Sequence, residues 1–422
     1  MSIIKNYKDL CLNNERKVVL DLINRAFESI QPKIVIGENI SIGEDSILYI
    51  NKEPINLSLY KNIYLIGFGK GSSLISKLIE EKLGRFLKGG YVIDIMEEKF
   101  EKIKFVKGTH PLPSKENFQF ANKILTEYSN LSEDDLVITV ICGGGSSLFE
   151  VPYALSLREK TKIDDQILKS GMDIYQMNTI RKHLSKVKGG FLAKALYPAK
   201  IVNLIFSDVL GNDISFIASG PTTIDETTMT DAIAIKDKYK INIDNKYFTE
   251  TPKDLKYFNN VFNFLILTNN TPIKAIERKA NDMGIETFVY SKTISEDAKT
   301  LGQKLIQNTK PNTILIAGGE SFVNVKGKGM GGRNQEVVLG ALLNIDHNIV
   351  ITSFGTDGWD NYKLAGAIGD ITTVKKAKEL NLNMKEYLMD DNTLPFFEKT
   401  KDGIYTGKLA SNVSDIMMVY KK

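Results

Sequence analysis

The residues of this chain most able to do chemistry cluster in GKGMGGRNQEVVL, positions 327–339. Four glycines, Gly327, Gly329, Gly331 and Gly332, run straight into Arg333-Asn334-Gln335-Glu336 and an apolar helical pattern. Glycine lets a backbone approach a ligand closely because no Cβ intervenes. A helix N-terminus behind such a loop offers N–H groups and positive dipole to an anion. Arg333 adds a planar fork matched to phosphate or carboxylate. Arg is scarce here, seven of 55 basic residues, so its placement between glycines and Asn334 is informative. A capped surface helix with a solvated Arg would read similarly, and the rest of the chain must decide.

Five strand-like runs end in Gly with a charged or hydroxyl residue. Asn62–Ile66 leads into Gly67-Phe68-Gly69-Lys70-Gly71-Ser72-Ser73, followed by a helical pattern. A dinucleotide fingerprint needs Gly where Ser72 stands, and the four-residue spacing of a phosphate-binding P-loop is absent. What remains is Lys70 on a tight turn, which suits an anionic group. Leu136–Ile141 opens onto Cys142-Gly143-Gly144-Gly145-Ser146-Ser147, a second candidate anion cradle. Ser146 is no hydrolase nucleophile, because Leu148 occupies the position where a nucleophile elbow needs Gly. Lys200–Phe206 delivers Ser207-Asp208, a carboxylate suited to Mg²⁺ or to orienting a hydroxyl. Asn312–Ala317 ends in Gly318-Gly319-Glu320, and Asn348–Phe354 in Gly355-Thr356-Asp357-Gly358. Five such ends point to phosphate handling in a cleft between domains. Asn178–Leu196 sets Arg181, Lys182, His183, Lys186 and Lys188 against an apolar face. The plain expectation there is a solvated helix, and the functional one is positive charge directed at a polyanion.

The elements that must position these groups alternate strand and helix, which predicts an α/β fold of two domains with a mainly parallel, Rossmann-like sheet in the larger N-terminal one. Composition agrees: 422 residues exceed one ordinary core, with 42% hydrophobic and 25% charged residues. We place the domains at 1–250 and 251–422. The helical stripe Val18, Val19, Leu22, Ile23, Ala26, Phe27, Ile30 thus falls in the first, and the run Val261–Leu267 opens the second. A net charge of +4 argues against a nucleic-acid binder. No apolar run is long enough for a membrane helix, two cysteines make no disulfide framework, and a cytosolic location is expected. Three His and two Cys make no zinc cluster, so any metal must rest on carboxylates and phosphates, which suits Mg²⁺.

Taken together, GFGKGS at 67–72, HPLP at 110–113, CGGGSSL at 142–148, NTIRKHLSKVKGG at 178–190, SDVLGNDISFIASGPT at 207–222, GGE at 318–320, GMGGRNQE at 329–336 and GTDG at 355–358 resemble the class II glycerate 2-kinase family, whose C-terminal part is the MOFRL region, here about 310–418. The resemblance covers roughly 15–415. It implies ATP-dependent phosphorylation of D-glycerate at the 2-hydroxyl, giving 2-phosphoglycerate, with Mg²⁺. Lys70 and Arg333 match the family's catalytic Lys and Arg, and Asp208 joins them as the expected metal or hydroxyl ligand. ATP and its phosphates are expected on Gly143, Gly144, Gly145, Ser146, Ser147, Lys188, Glu320 and Asn334. Substrate is expected on Gly69, Ser72, Arg181 and Asp357. The sequence departs from the family pattern at Asp360-Asn361-Tyr362-Lys363 and at Thr406-Gly407-Lys408-Leu409, in the C-terminal loops. The expected partner is the small-molecule substrate, with no nucleic acid or membrane, and a homodimer is admitted. The alternatives are an NAD(P)-dependent hydroxypyruvate reductase, a kinase giving 3-phosphoglycerate, and a non-catalytic nucleotide-sensing module.

Overall fold

The computed structural model describes residues 2–422. The chain divides into two compact units, one of residues 36–266 and one joining the residues up to Val35 with Leu267–Lys422.

The 36–266 unit carries β1 (Ile40–Ile42), β2 (Ile47–Ile50), β3 (Glu53–Asn56), β4 (Asn62–Phe68), β5 (Leu87–Asp94), β6 (Ile103–Lys107), β7 (Asp135–Cys142), β8 (Lys200–Phe206) and β9 (Val261–Leu267). The first three form a small antiparallel sheet. The other six form one sheet in the order β6-β5-β4-β7-β8-β9. From β6 to β8 the neighbours are parallel. In chain ranks this is 3-2-1-4-5-6, the doubly wound order, with the reversal between β4 and β7. All of β7 is buried, as expected of a parallel strand covered on both faces. Helices Ser72–Leu83, Lys115–Glu127 and Phe191–Leu196 flank the strands, and Ile66, Phe68, Val137, Ile141 and Leu192 meet in the core.

The other unit is a mixed sheet. Its strands are β10 (Glu286–Ile294), β11 (Thr313–Gly319), β12 (Ile349–Gly355), β13 (Gly366–Asp370), β14 (Gly403–Ile404) and β15 (Asp415–Lys421). Their order is β10-β11-β15-β12-β13-β14. Only β10 and β11 run parallel; β15 returns from the chain end to lie antiparallel between β11 and β12. Among the described residues, no helix is long and apolar enough to cross a membrane.

The division by compactness differs from the expected break at 250/251 at both ends. The helix Asn14–Ser29 lays its apolar stripe on the second unit, where Val19, Leu22, Ile23 and Phe27 join Ile273, Ile276, Phe354 and Met418. Rings of Phe27 and Phe354 lie 4.9 Å apart. Arg16, fully buried, fixes the docking: Nε and Nη2 each donate to Asp370 at 2.8 Å, and Nη1 donates to Asp402 at 2.7 Å. At the other boundary β9 completes the first sheet instead of opening the second, held beside β8 by Asn203 Nδ2 donating to Asn263 Oδ1 at 2.7 Å. An apolar strand announces its burial but not its sheet.

Candidate active site

The reversal between β4 and β7 is where an open α/β sheet binds its ligand, beyond the strand carboxyl ends. The turn after β4 carries Lys70 and the turn after β7 carries Gly143–Ser147. They are tied by the Lys70 N–H donating to the Gly143 carbonyl at 2.8 Å. Gly69 has φ +110°, and a Cβ there would overlap the Cys142 carbonyl, so the approach of the two turns requires Gly. Gly144 has φ +75°, and a Cβ added to it would stand 2.8 Å from His110 Cδ2 and 3.3 Å from Lys70 Cε. A Cβ on Gly143 would overlap the Asp208 carboxylate. Lys70, His110 and Asp208 therefore gather around the triple-glycine turn, with the Lys70 side chain exposed. Ser146 Oγ shares a 2.9 Å hydrogen bond with Ser219 Oγ, which donates to Asn178 Oδ1 at 2.8 Å. Ser147 Oγ donates to the Pro111 carbonyl at 2.7 Å. Burial, and then the Lys70 charge, push the His110 pKa below that of free histidine, so His110 meets this cation neutral.

Arg181 and Lys188 sit differently from the expected solvated basic face. The helix stops at His183, and Lys182, His183 and Lys188 are buried. Lys188 ion-pairs with Glu150. Lys160 donates to both Asp164 oxygens at 2.7 Å and lies 3.5 Å from Glu150, while Arg181 Nε lies 3.9 Å from Asp164. Ser72, expected at the substrate, is fully buried and donates to the Ile93 carbonyl at 3.0 Å; it packs the helix onto β5 and offers a ligand nothing.

In the second unit Arg333 Nε and Nη2 donate to Asp415 at 2.6 and 3.1 Å, and Nη1 bonds Glu320. Burial works against the Arg333 charge, but Asp415 and Glu320 outweigh it, and the guanidinium holds its proton more tightly than usual. Burial pushes Asp415 up to about 7 against the pull of Arg333. Asp357 and Asp415 flank Gly355, whose added Cβ would stand 3.2 and 3.6 Å from their Oδ1 atoms.

The glycine loop ahead of Arg333 is not an open cradle. Lys326 and Gly327 N–H donate to Asp391 at 2.7 and 2.6 Å, Lys328 N–H to Asp390 at 3.0 Å, and Met330 N–H to Asn392 at 3.1 Å. Cβ atoms on Gly327, Gly329 or Gly331 would overlap Asp390, Asn392 or Thr393. Asp360 caps the helix by accepting from Asn334 N–H at 3.1 Å and Gln335 N–H at 3.0 Å. The glycines admit a neighbouring chain segment, and carboxylates of this chain take the donors an anion would need. Asn334, expected at the nucleotide, is buried, with its Nδ2 on Asp360 and its Oδ1 accepting from Ser353. Glu320 is committed to Arg333 rather than facing a phosphate.

Comparison with known proteins decides the family. The profile of a domain of unknown function (DUF4147) matches residues 18–248, and the MOFRL family profile matches 313–415. A glycerate 2-kinase of Picrophilus torridus is 34% identical, with 98% of each chain covered. A crystal structure of glycerate kinase from Thermotoga maritima superposes with TM-score 0.87 at 30% identity, covering 96% of this chain and 99% of that one. A putative hydroxypyruvate reductase of Agrobacterium vitis is 29% identical over 96% of this chain and 94% of its own. The chain belongs to the glycerate 2-kinase family.

A glycerate kinase needs a nucleotide, and the donor chemistry of the first unit suits one: a glycine turn at the strand-order reversal with an exposed lysine beside it. Among the described residues no group of three or more His, Cys, Asp or Glu could hold a metal. A cation bound through one carboxylate and phosphate oxygens is the arrangement Mg²⁺ favours, and the Asp208 carboxylate, which lies against the glycine turn, is a group of that kind. The residues sequence reasoning missed are His110, Glu150, Lys160, Asp164, Asp360 and Asp415. His110 carried a signal in HPLP; the others are ordinary carboxylates and lysines whose partners lie far along the chain.

Proposed function

We propose that this enzyme transfers the γ-phosphoryl group of ATP to the 2-hydroxyl of D-glycerate, giving 2-phosphoglycerate and ADP, with Mg²⁺ as the cation. The observation that carries the reading is the meeting of Lys70 with the Gly143–Ser147 turn at the strand-order reversal, with Asp208 against the same turn. Phosphoryl transfer asks a protein for alignment and charge neutralisation more than for covalent help. The bond from phosphorus to the glycerate O2 forms, the bond to the ADP oxygen breaks with its electron pair staying on ADP, and the hydroxyl proton is released to solvent. Mg²⁺, when bound, neutralises charge on the phosphates. Backbone N–H groups of Gly143–Ser146 hold the phosphate oxygens, while the Ser147 N–H closes the turn on the Gly144 carbonyl. Lys70 supplies positive charge beside the turn, and in the other unit Asp415 keeps the Arg333 fork in one orientation. Asp208 orients the hydroxyl or binds the cation. Ser72 and Asn334 take no part, because their polar atoms are buried and used.

The relative named as a reductase favours a second reading, reduction of hydroxypyruvate by NAD(P)H. The two separate in one experiment. ADP release that requires both D-glycerate and Mg²⁺, without nicotinamide oxidation on hydroxypyruvate, supports the kinase. Nicotinamide oxidation without ADP release replaces it.

A further inference from the structure

The charges around Lys188 do not balance. The groups facing it are Glu150 from the segment after β7, Lys160 and Asp164 from helix Leu157–Lys169, and Arg181 from helix Ile174–His183. That is three cations against two carboxylates. Lys160 and Lys188 are each almost wholly buried. Each cation has a carboxylate within ion-pair distance, Lys188 on Glu150, Lys160 on Asp164 and Arg181 near Asp164, yet the cluster as a whole keeps one positive charge in excess. The cluster lines a pocket whose other walls include Pro111, Ser146 and Ser147, so the surplus faces space bordered by the glycine turn's own hydroxyls.

We propose that this pocket is an anion subsite, in which Lys188 binds a carboxylate or phosphate group and Glu150 is the residue that positions it. Glu150 is itself fixed, accepting from Ser185 Oγ at 2.8 Å. Lys160 keeps its proton, because Glu150 and Asp164 outweigh its burial. Lys188 is the loosely held one: burial pushes it down to about 8 against the pull of Glu150. An incoming anion restores neutrality and raises the affinity of Lys188 for its proton. Binding is therefore coupled to proton uptake just above pH 8.

The choice of probes rests on the kinase reading; the pocket does not. Titration calorimetry on the whole protein, with D-glycerate, ADP and inorganic phosphate separately, in phosphate-free buffers of different ionisation heat, tests the proposal. Lys188→Met weakens at least one probe by about tenfold or more, as loss of a charged hydrogen bond does, and abolishes its buffer-dependent heat. Loss confined to D-glycerate names the carboxylate as occupant, loss confined to ADP names the phosphate, and loss of several marks a subsite open to both. The double variant Glu150→Gln/Lys188→Met, which leaves no unpaired carboxylate, gives the same loss if Lys188→Met folds poorly. Glu150→Gln alone moves the alkaline fall in affinity to lower pH, which a merely structural role would not do. If wild type and Lys188→Met bind every probe equally, the subsite is wrong and the kinase reading stands. If wild type binds none of the three, both fall.

Discussion

At the scale of single residues, the neighbours of one glycine turn differ in exposure. Lys70 is exposed beside the triple-glycine turn, whereas Ser72, two positions on, is sealed against β5. Lys70→Ala is expected to lower kcat by about 100-fold or more, the scale of losing one charge-stabilising donor, with an unchanged circular dichroism spectrum. Near-normal turnover would remove Lys70 from the site. Ser72→Ala is expected to cost about 1 kcal/mol of stability in a denaturant titration, for one buried hydrogen bond, with KM for D-glycerate unchanged. A raised KM at unchanged stability would return Ser72 to the substrate. Lys70 was legible from its turn. The burial of Lys188 was not, because a basic helix face looks the same whether water or Glu150 receives it.

At the scale of elements, the two glycine loops have the same sequence signature and different uses. Gly143–Gly145 make room for the side chains of Asp208, His110, Lys70 and Ala218; Gly327–Gly331 make room for the backbone and side chains of residues 390–393. Gly327→Ala would put a Cβ into the Asp390 backbone, so about 1–3 kcal/mol of stability should be lost, as in other overpacked sites, read as a lower denaturant midpoint. Unchanged stability with weakened nucleotide binding would instead make this loop a ligand cradle. The five strand ends were readable as strand, glycine and polar residue. Their pairing was not. Nothing in an apolar heptamer says that β15 inserts antiparallel between β11 and β12, bringing Asp415 to Arg333, 82 positions away.

At the scale of the whole molecule, the N-terminal helix belongs to the C-terminal unit, and Arg16 is the reason its docking is specific. Arg16→Ala would leave the buried Asp370 without its cation and Asp402 with Lys376 alone, at a cost of roughly 3–5 kcal/mol, visible as a lowered Tm. Burial opposes the charge on Asp370, but the hydrogen bonds and charge of Arg16 outweigh it and hold the carboxyl at about 2 against an ordinary 3.8. The folded pKa is depressed, so this stabilisation is full above about pH 4 and is lost as pH falls toward 2. The gap in Tm between wild type and Arg16→Ala should narrow over that window; a gap that stays constant would assign the loss to packing alone. The apolar stripe of this helix was plain in the sequence, but a stripe names a face and not its partner, so the helix was placed with the nearer half of the chain.

The most direct test is the position of phosphorylation. The protein is incubated with ATP, Mg²⁺ and D-glycerate, and the product is coupled to enolase and pyruvate kinase with no phosphoglycerate mutase present. A signal without mutase is the predicted result and identifies 2-phosphoglycerate. A signal that appears only when mutase is added would contradict transfer to the 2-hydroxyl and make the product 3-phosphoglycerate.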